Sequence, residues 1–120
     1  SFQPVPKFQL KMTKEEMLDK LKVVSADELV MQKWIDILQG AGVDDGASNC
    51  AYCEIYKCAE CPIARMTGKE GCQGSPYATW VDHQYSKHTL SWSCRGGYIV
   101  RCSQCKAIVK EWIEFLKRID

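Results

Sequence analysis

The sequence predicts a small, mainly α-helical domain built around a cysteine-rich, metal-organised loop, with one β-hairpin beside the last helix. Three observations carry this. Apolar residues recur at helical spacing, most clearly at Ile108, Trp112, Phe115, Leu116 and Ile119 (i, i+4, i+7, i+8, i+11). Five cysteines crowd into one stretch, as Cys50-x-x-Cys53-x4-Cys58-x-x-Cys61-Pro62 and then Cys72. Finally, Thr89–Cys94 alternates in polarity, Arg95-Gly96-Gly97 is a turn and Tyr98–Cys102 is β-prone, which is a short hairpin pattern.

The whole of 1–120 reads as one domain. Residues 1–12 carry Pro4 and Pro6 and no helical period, so an extended arm is expected, with Phe2, Val5 and Phe8 available to dock on the core. Thr13-Lys14-Glu15-Glu16 is a capping box that should start a helix over 14–23, with Met17, Leu18 and Leu21 inward. Ser25-Ala26-Asp27-Glu28 repeats the signal for a helix over 26–39. There Val30, Trp34, Ile37 and Leu38 form a buried stripe, and Gly40 and Gly42 end it.

Asp44-Asp45-Gly46 reads as a polar turn. The segment 47–75 should be irregular or made of short turns around its ligands. Ser75-Pro76 is a helix start, with Ser as cap and Pro at the first position. The helix over 76–87 would turn Tyr77, Trp80, Val81 and Tyr85 to the core. An insertion over 88–105 contains the hairpin, and a closing helix covers 103–118. The tryptophans fall at core positions, which is the ordinary fate of an aromatic stripe.

A net charge of +1 argues against a sequence-independent nucleic-acid binder, which needs a plainly basic surface. Charge is unevenly spread: residues 76–120 hold seven Lys/Arg against four Asp/Glu. Arg95, Arg101, Lys106, Lys110 and Lys117 are the candidate nucleic-acid face. Solvation of the helix side opposite Trp112 and Phe115 accounts for them more simply. No run is long and apolar enough to span a membrane, and no signal-peptide pattern is read at the start.

The cysteines decide most. Two residues apart, thiolates can grip one ion, and two such pairs complete a tetrahedral zinc shell. The leading reading is a structural zinc held by four of Cys50, Cys53, Cys58, Cys61 and Cys72. A closed shell of this kind leaves no open position for metal catalysis. Two alternatives stay open. One is an iron–sulfur cluster, since Cys53-x4-Cys58-x-x-Cys61 has plant-ferredoxin spacing. The other is disulfides, with Cys94 to Cys102 or Cys105 the easiest pair to bridge across the Gly96-Gly97 turn.

His83, His88, Cys102 and Cys105 form a candidate second metal site. His83 and His88 are five apart and do not share a helix face as an i, i+4 pair does. Two surface histidines and an inert or bridged Cys102-x-x-Cys105 knuckle are therefore the expectation. A thioredoxin-like role for that knuckle is disfavoured, because no βαβ pattern surrounds it. Nothing orders Ser, His and Asp as a triad, and no catalytic residue is assigned.

The run Cys61-Pro62-Ile63 … Thr67-Gly68 … Gly71-Cys72-x-Gly74-Ser75-Pro76-Tyr77-x-x-Trp80, with Cys50, Cys53 and Cys58 upstream, resembles a group of small uncharacterised cysteine-rich proteins of phages, prophages and archaea. Ser75 stands where that group usually has Thr. The insertion with Cys94, Cys102 and Cys105 departs from its pattern. The resemblance implies a viral or mobile-element origin and brings no activity with it.

The function expected on these grounds is non-enzymatic: a zinc-stabilised adaptor or regulator that binds a protein, host machinery if the origin is viral. A nucleic-acid-binding zinc protein and an iron–sulfur or dithiol redox protein are the alternatives. Metal-binding cysteines would place the chain inside the host cell, and disulfides would place it outside.

Overall fold

A computed structural model describes residues 13–57, 59–88 and 97–119, and these hold six helices, the four expected from the sequence and two more. They are α1 (Lys14–Lys20), α2 (Ala26–Leu38), α3 (Ala51–Ile55), α4 (Pro62–Thr67), α5 (Pro76–His88) and α6 (Ser103–Leu116), with a 3₁₀ turn at Gly46–Asn49. The fold is mainly α, and no sheet occurs among the described residues. The arm 1–12, Cys58, and residues 89–96 (with Trp92, Cys94 and Arg95) lie outside the described residues.

Both capping residues act, one as a full capping box and one as half of it. Thr13 Oγ1 accepts from the Glu16 amide and Glu16 accepts from the Thr13 amide, so two otherwise unpaired helix-start donors are satisfied. At Ser25 only the forward half reaches the backbone: the hydroxyl accepts from Glu28 N and itself donates to the Glu28 carboxylate.

The core is a meeting of three tryptophans from three helices. Trp34 of α2 makes edge contacts with Trp80 of α5 at 5.5 Å and with Trp112 of α6 at 6.1 Å. Tyr77 joins at 5.8 Å from both Trp34 and Trp112. The α6 stripe is buried as its spacing predicts, with Ile108, Val109, Trp112, Ile113, Phe115 and Leu116 all inside. Edge-to-face rings add ~0.5–1.5 kcal/mol per pair to what area burial gives. The junction is thus a specific one as well as an apolar one.

Two expected core residues are outside. Leu18 is 41 % exposed, because α1 is short and packs mainly through Met17. Tyr85 is 63 % exposed, and the inward stripe of α5 is instead Trp80, His83 and Gln84. A hydrophobicity pattern counts His and Gln as outward, yet both have partners inside the fold.

The cysteine-rich segment is more regular than expected, since it contains α3 and α4 as well as the 3₁₀ turn. Pro62 starts α4 at its first turn, and Gly68 ends it at φ 76°, a left-handed conformation that glycine adopts without strain. Tyr98, read as part of a hairpin, pairs with Asp44 in an isolated antiparallel bridge. The first arm of that hairpin lies outside the described residues.

Candidate metal centre

The C-terminal end of α5 and the N-terminal end of α6 converge on four ligating side chains: His83, His88, Cys102 and Cys105. Their donor atoms all lie within 4.8 Å of one another. His83 Nε2 is 3.3 Å from Cys102 Sγ, and His88 Nε2 is 3.5 Å from Cys102 Sγ and 3.4 Å from Cys105 Sγ. The two sulfurs are 3.6 Å apart. A tetrahedron with Zn–S near 2.3 Å and Zn–N near 2.0–2.1 Å has edges of roughly 3.8 Å between sulfurs and roughly 3.5 Å between sulfur and nitrogen. Those four separations have close to these dimensions, the remaining two lie within 4.8 Å, and the cluster could hold a metal ion.

This corrects the expectation of two surface histidines. His83 is buried and His88 half-buried. A residue five along a helix interior sits about 140° round the axis. His88, however, is the terminal residue of α5, and its ring meets the His83 ring edge-on at 5.0 Å. Helix spacing excludes such a pair in the middle of a helix but not at its end. The cysteines meet because Cys102 is the N-cap of α6 and Cys105 stands in its first turn.

Local electrostatics suit this donor set. Cys105 N donates to Cys102 Sγ at 3.4 Å, and that backbone N–H bond is the main cause holding the Cys102 thiol below its ordinary pKa. Burial raises the Cys105 thiol, and Gln84 Nε2 donates to its sulfur at 3.4 Å. The same amide nitrogen donates to the Ile99 carbonyl at 3.1 Å, so Gln84 is oriented by two acceptors. Burial, then the neighbouring His88 and Lys87, lower the His83 pKa and favour the neutral imidazole that ligates metals. The thiolates lie at the positive end of the α6 dipole.

The first cysteine cluster has a different form. Cys50, Cys53, Cys61 and Cys72 line one cavity of about 80 Å³ with Trp34, Tyr77, Trp112 and Lys33. Cys50 and Cys53 hydrogen-bond each other, which lowers the Cys50 thiol to about 6 and raises its partner. Burial, followed by the charges of Cys50 and Cys61, pushes Cys72 up to about 12. No disulfide joins any two described cysteines. The Cys94 bridge lies outside the described residues.

Sequence reasoning missed the polar centre beside this cavity. Asp44, read as part of a polar turn, is fully buried. Its carboxylate accepts from Lys33 Nζ (2.9 Å), Trp80 Nε1 (2.9 Å), Tyr77 OH (3.0 Å) and the Gly46 amide (3.0 Å). Burial works to lower the Lys33 pKa, but Asp44, with Cys50 and Cys53 behind it, holds the ammonium above its ordinary value. An available signal was the i, i+11 spacing of a lone Lys on the apolar stripe of α2 and an Asp just past the end of that helix.

Of the candidate nucleic-acid face, Arg101, Lys106, Lys110 and Lys117 are exposed. Lys117 is paired with Glu114 at 3.0 Å. Glu111 and Glu114 are exposed on the same helix, so α6 presents mixed charge. No helix among the described residues is long and apolar enough to cross a membrane. Comparison with family models, with curated proteins and with solved structures gives no match.

Proposed function

We propose that this chain is a zinc-stapled helical module that works by binding another protein, without catalysis of its own. The observation that carries the reading is the His83–His88–Cys102–Cys105 cluster, which gathers its donors within 4.8 Å and has four separations near those of a tetrahedral ion. Two thiolates and two imidazoles suit zinc, and four protein donors leave it no position for water or substrate. An ion held there ties the end of α5 to the start of α6 and supplies folding energy at that junction. An adaptor role follows from the closed shell and the near-neutral charge. The viral origin implied by the resemblance would make the partner a host protein.

The test is metal analysis of untagged protein beside a Cys105→Ser variant. Wild type should carry a zinc equivalent that the variant lacks, and cobalt substituted at the site should give the spectrum of a tetrahedral S2N2 centre. Chelation should reduce helicity and abolish co-purification with a cross-linked protein partner. Equal zinc in both proteins, or chelation without structural loss, would sink the reading.

A further inference from the structure

The thiol-lined cavity carries an inference independent of the zinc staple. Four cysteines from three parts of the chain, Cys50 and Cys53 at the start of α3, Cys61 as the cap of α4 and Cys72 before α5, face one space. Among the described residues, however, the only group of three or more ligating side chains that could hold a single ion is the His83 cluster. Cys50, Cys53, Cys61 and Cys72 are not such a group among the described residues; what they share is a lined volume. That volume is about 80 Å³, whereas a cavity needs only ~10–15 Å³ to hold a water molecule.

The walls ask for an acceptor. Trp112 forms part of the lining, and its buried indole Nε1–H has no hydrogen-bond partner. Buried donors are nearly always satisfied, so an orphan beside an enclosed space points to a group that occupies it. A sulfur with lone pairs would serve, whether sulfide or ligating thiolate. The rest of the wall, Val30, Trp34, Ile63 and Tyr77, is mainly apolar, while the exposed Cys53 leaves one edge open to solvent. Lys33 also lines the cavity, but its charge is already neutralised by Asp44.

The geometry points to an iron–sulfur cluster held by Cys50, Cys53, Cys61 and Cys72. Such a cluster takes four thiolates, fills a volume rather than a point, and accepts hydrogen bonds at its sulfurs. One mononuclear zinc would need all four sulfurs drawn to mutual distances of roughly 3.8 Å.

The experiment is anaerobic reconstitution of the full chain with ferrous iron and sulfide, followed by iron and sulfide analysis, visible absorption and EPR after dithionite reduction. The expected product is coloured, with two or four irons and matching sulfide per chain. The Cys61→Ser/Cys72→Ser variant should lose the chromophore. His83→Ala/Cys105→Ser, which removes the zinc staple, should keep it, so each site can fail separately. If the first variant does not fold, the exposed Cys53→Ser keeps the test open: serine ligation should shift the absorption and EPR spectra of a folded protein. A colourless product, an unchanged spectrum in Cys53→Ser, or a second zinc equivalent lost from Cys61→Ser/Cys72→Ser would overturn the cluster.

Discussion

Asp44 shows how much one side chain can hold. Its carboxylate joins α2 through Lys33, α5 through Tyr77 and Trp80, and the 3₁₀ turn through the Gly46 amide. Truncation to Ala strands a buried ammonium, so Asp44→Ala should cost about 3–5 kcal/mol, read as a lower urea midpoint. Adding Lys33→Met should recover part of that loss, because neither charge is then left alone; a further loss would show that Lys33 does not depend on Asp44. Gly97 sets a second limit. Its φ is 69°, and a Cβ built there would lie 2.5 Å from the Asp44 carbonyl oxygen. Gly97→Ala should therefore destabilise by about 1–3 kcal/mol through backbone strain, with added cost from the clash.

Tyr77 gives this centre a pH dependence. Burial, then the Asp44 charge and hydrogen bond, raise its phenol well above the ordinary value. The folded chain keeps that proton when the unfolded chain has lost it. The contribution is complete below about pH 10 and declines by about 1.4 kcal/mol per pH unit above it. Burial and Asp27 raise the Tyr52 phenol as well, so alkaline denaturation followed by circular dichroism should show both contributions, and Tyr77→Phe should remove one of them. At this scale the sequence was least legible. Polarity alone places Asp44, His83 and Gln84 outside, and only three-dimensional partners reveal why they are inside.

Among the elements, capping residues and apolar stripes were the readable signals, since both are local. The observed helices α1, α2 and α5 begin where the caps put them, and α6 begins at Ser103, the start of the expected closing helix. Ser75 is a cap that also reaches outside its helix: its hydroxyl accepts from Tyr77 N at 3.2 Å and donates to the Cys72 carbonyl at 2.6 Å. It therefore joins α5 to the thiol cavity. Ser75→Ala should cost about 1–2 kcal/mol in stability, and Ser75→Thr should largely preserve it; equal damage from both would argue against the capping role. The short helices α3 and α4 were not legible, because five or six residues carry too little periodicity to distinguish a helix from a turn. Spacing revealed both cysteine groups as candidate sites but not how each is arranged. That depends on α5 ending at His88 just where α6 begins with Cys102.

For the molecule as a whole, the last helix is the shared neighbour. It packs against α2 and α5, supplies Trp112 to the aromatic junction and contributes Cys105 and its N-cap, Cys102, to the metal centre. Trp112→Ala should thus behave as a global lesion of about 3–5 kcal/mol, with one cooperative transition shifted as a unit. Biosynthesis adds a consequence. A ribosome makes α2, the cysteine segment and α5 first, and each emerges with an apolar face whose cover has not yet been translated. A chain stalled ahead of Cys102 holds two imidazoles with no thiolates opposite them, and Trp34 and Tyr77 with no Trp112. Such an intermediate exposes apolar surface and thiols together, so the interval before the final helix clears the exit tunnel is when this chain most needs a chaperone.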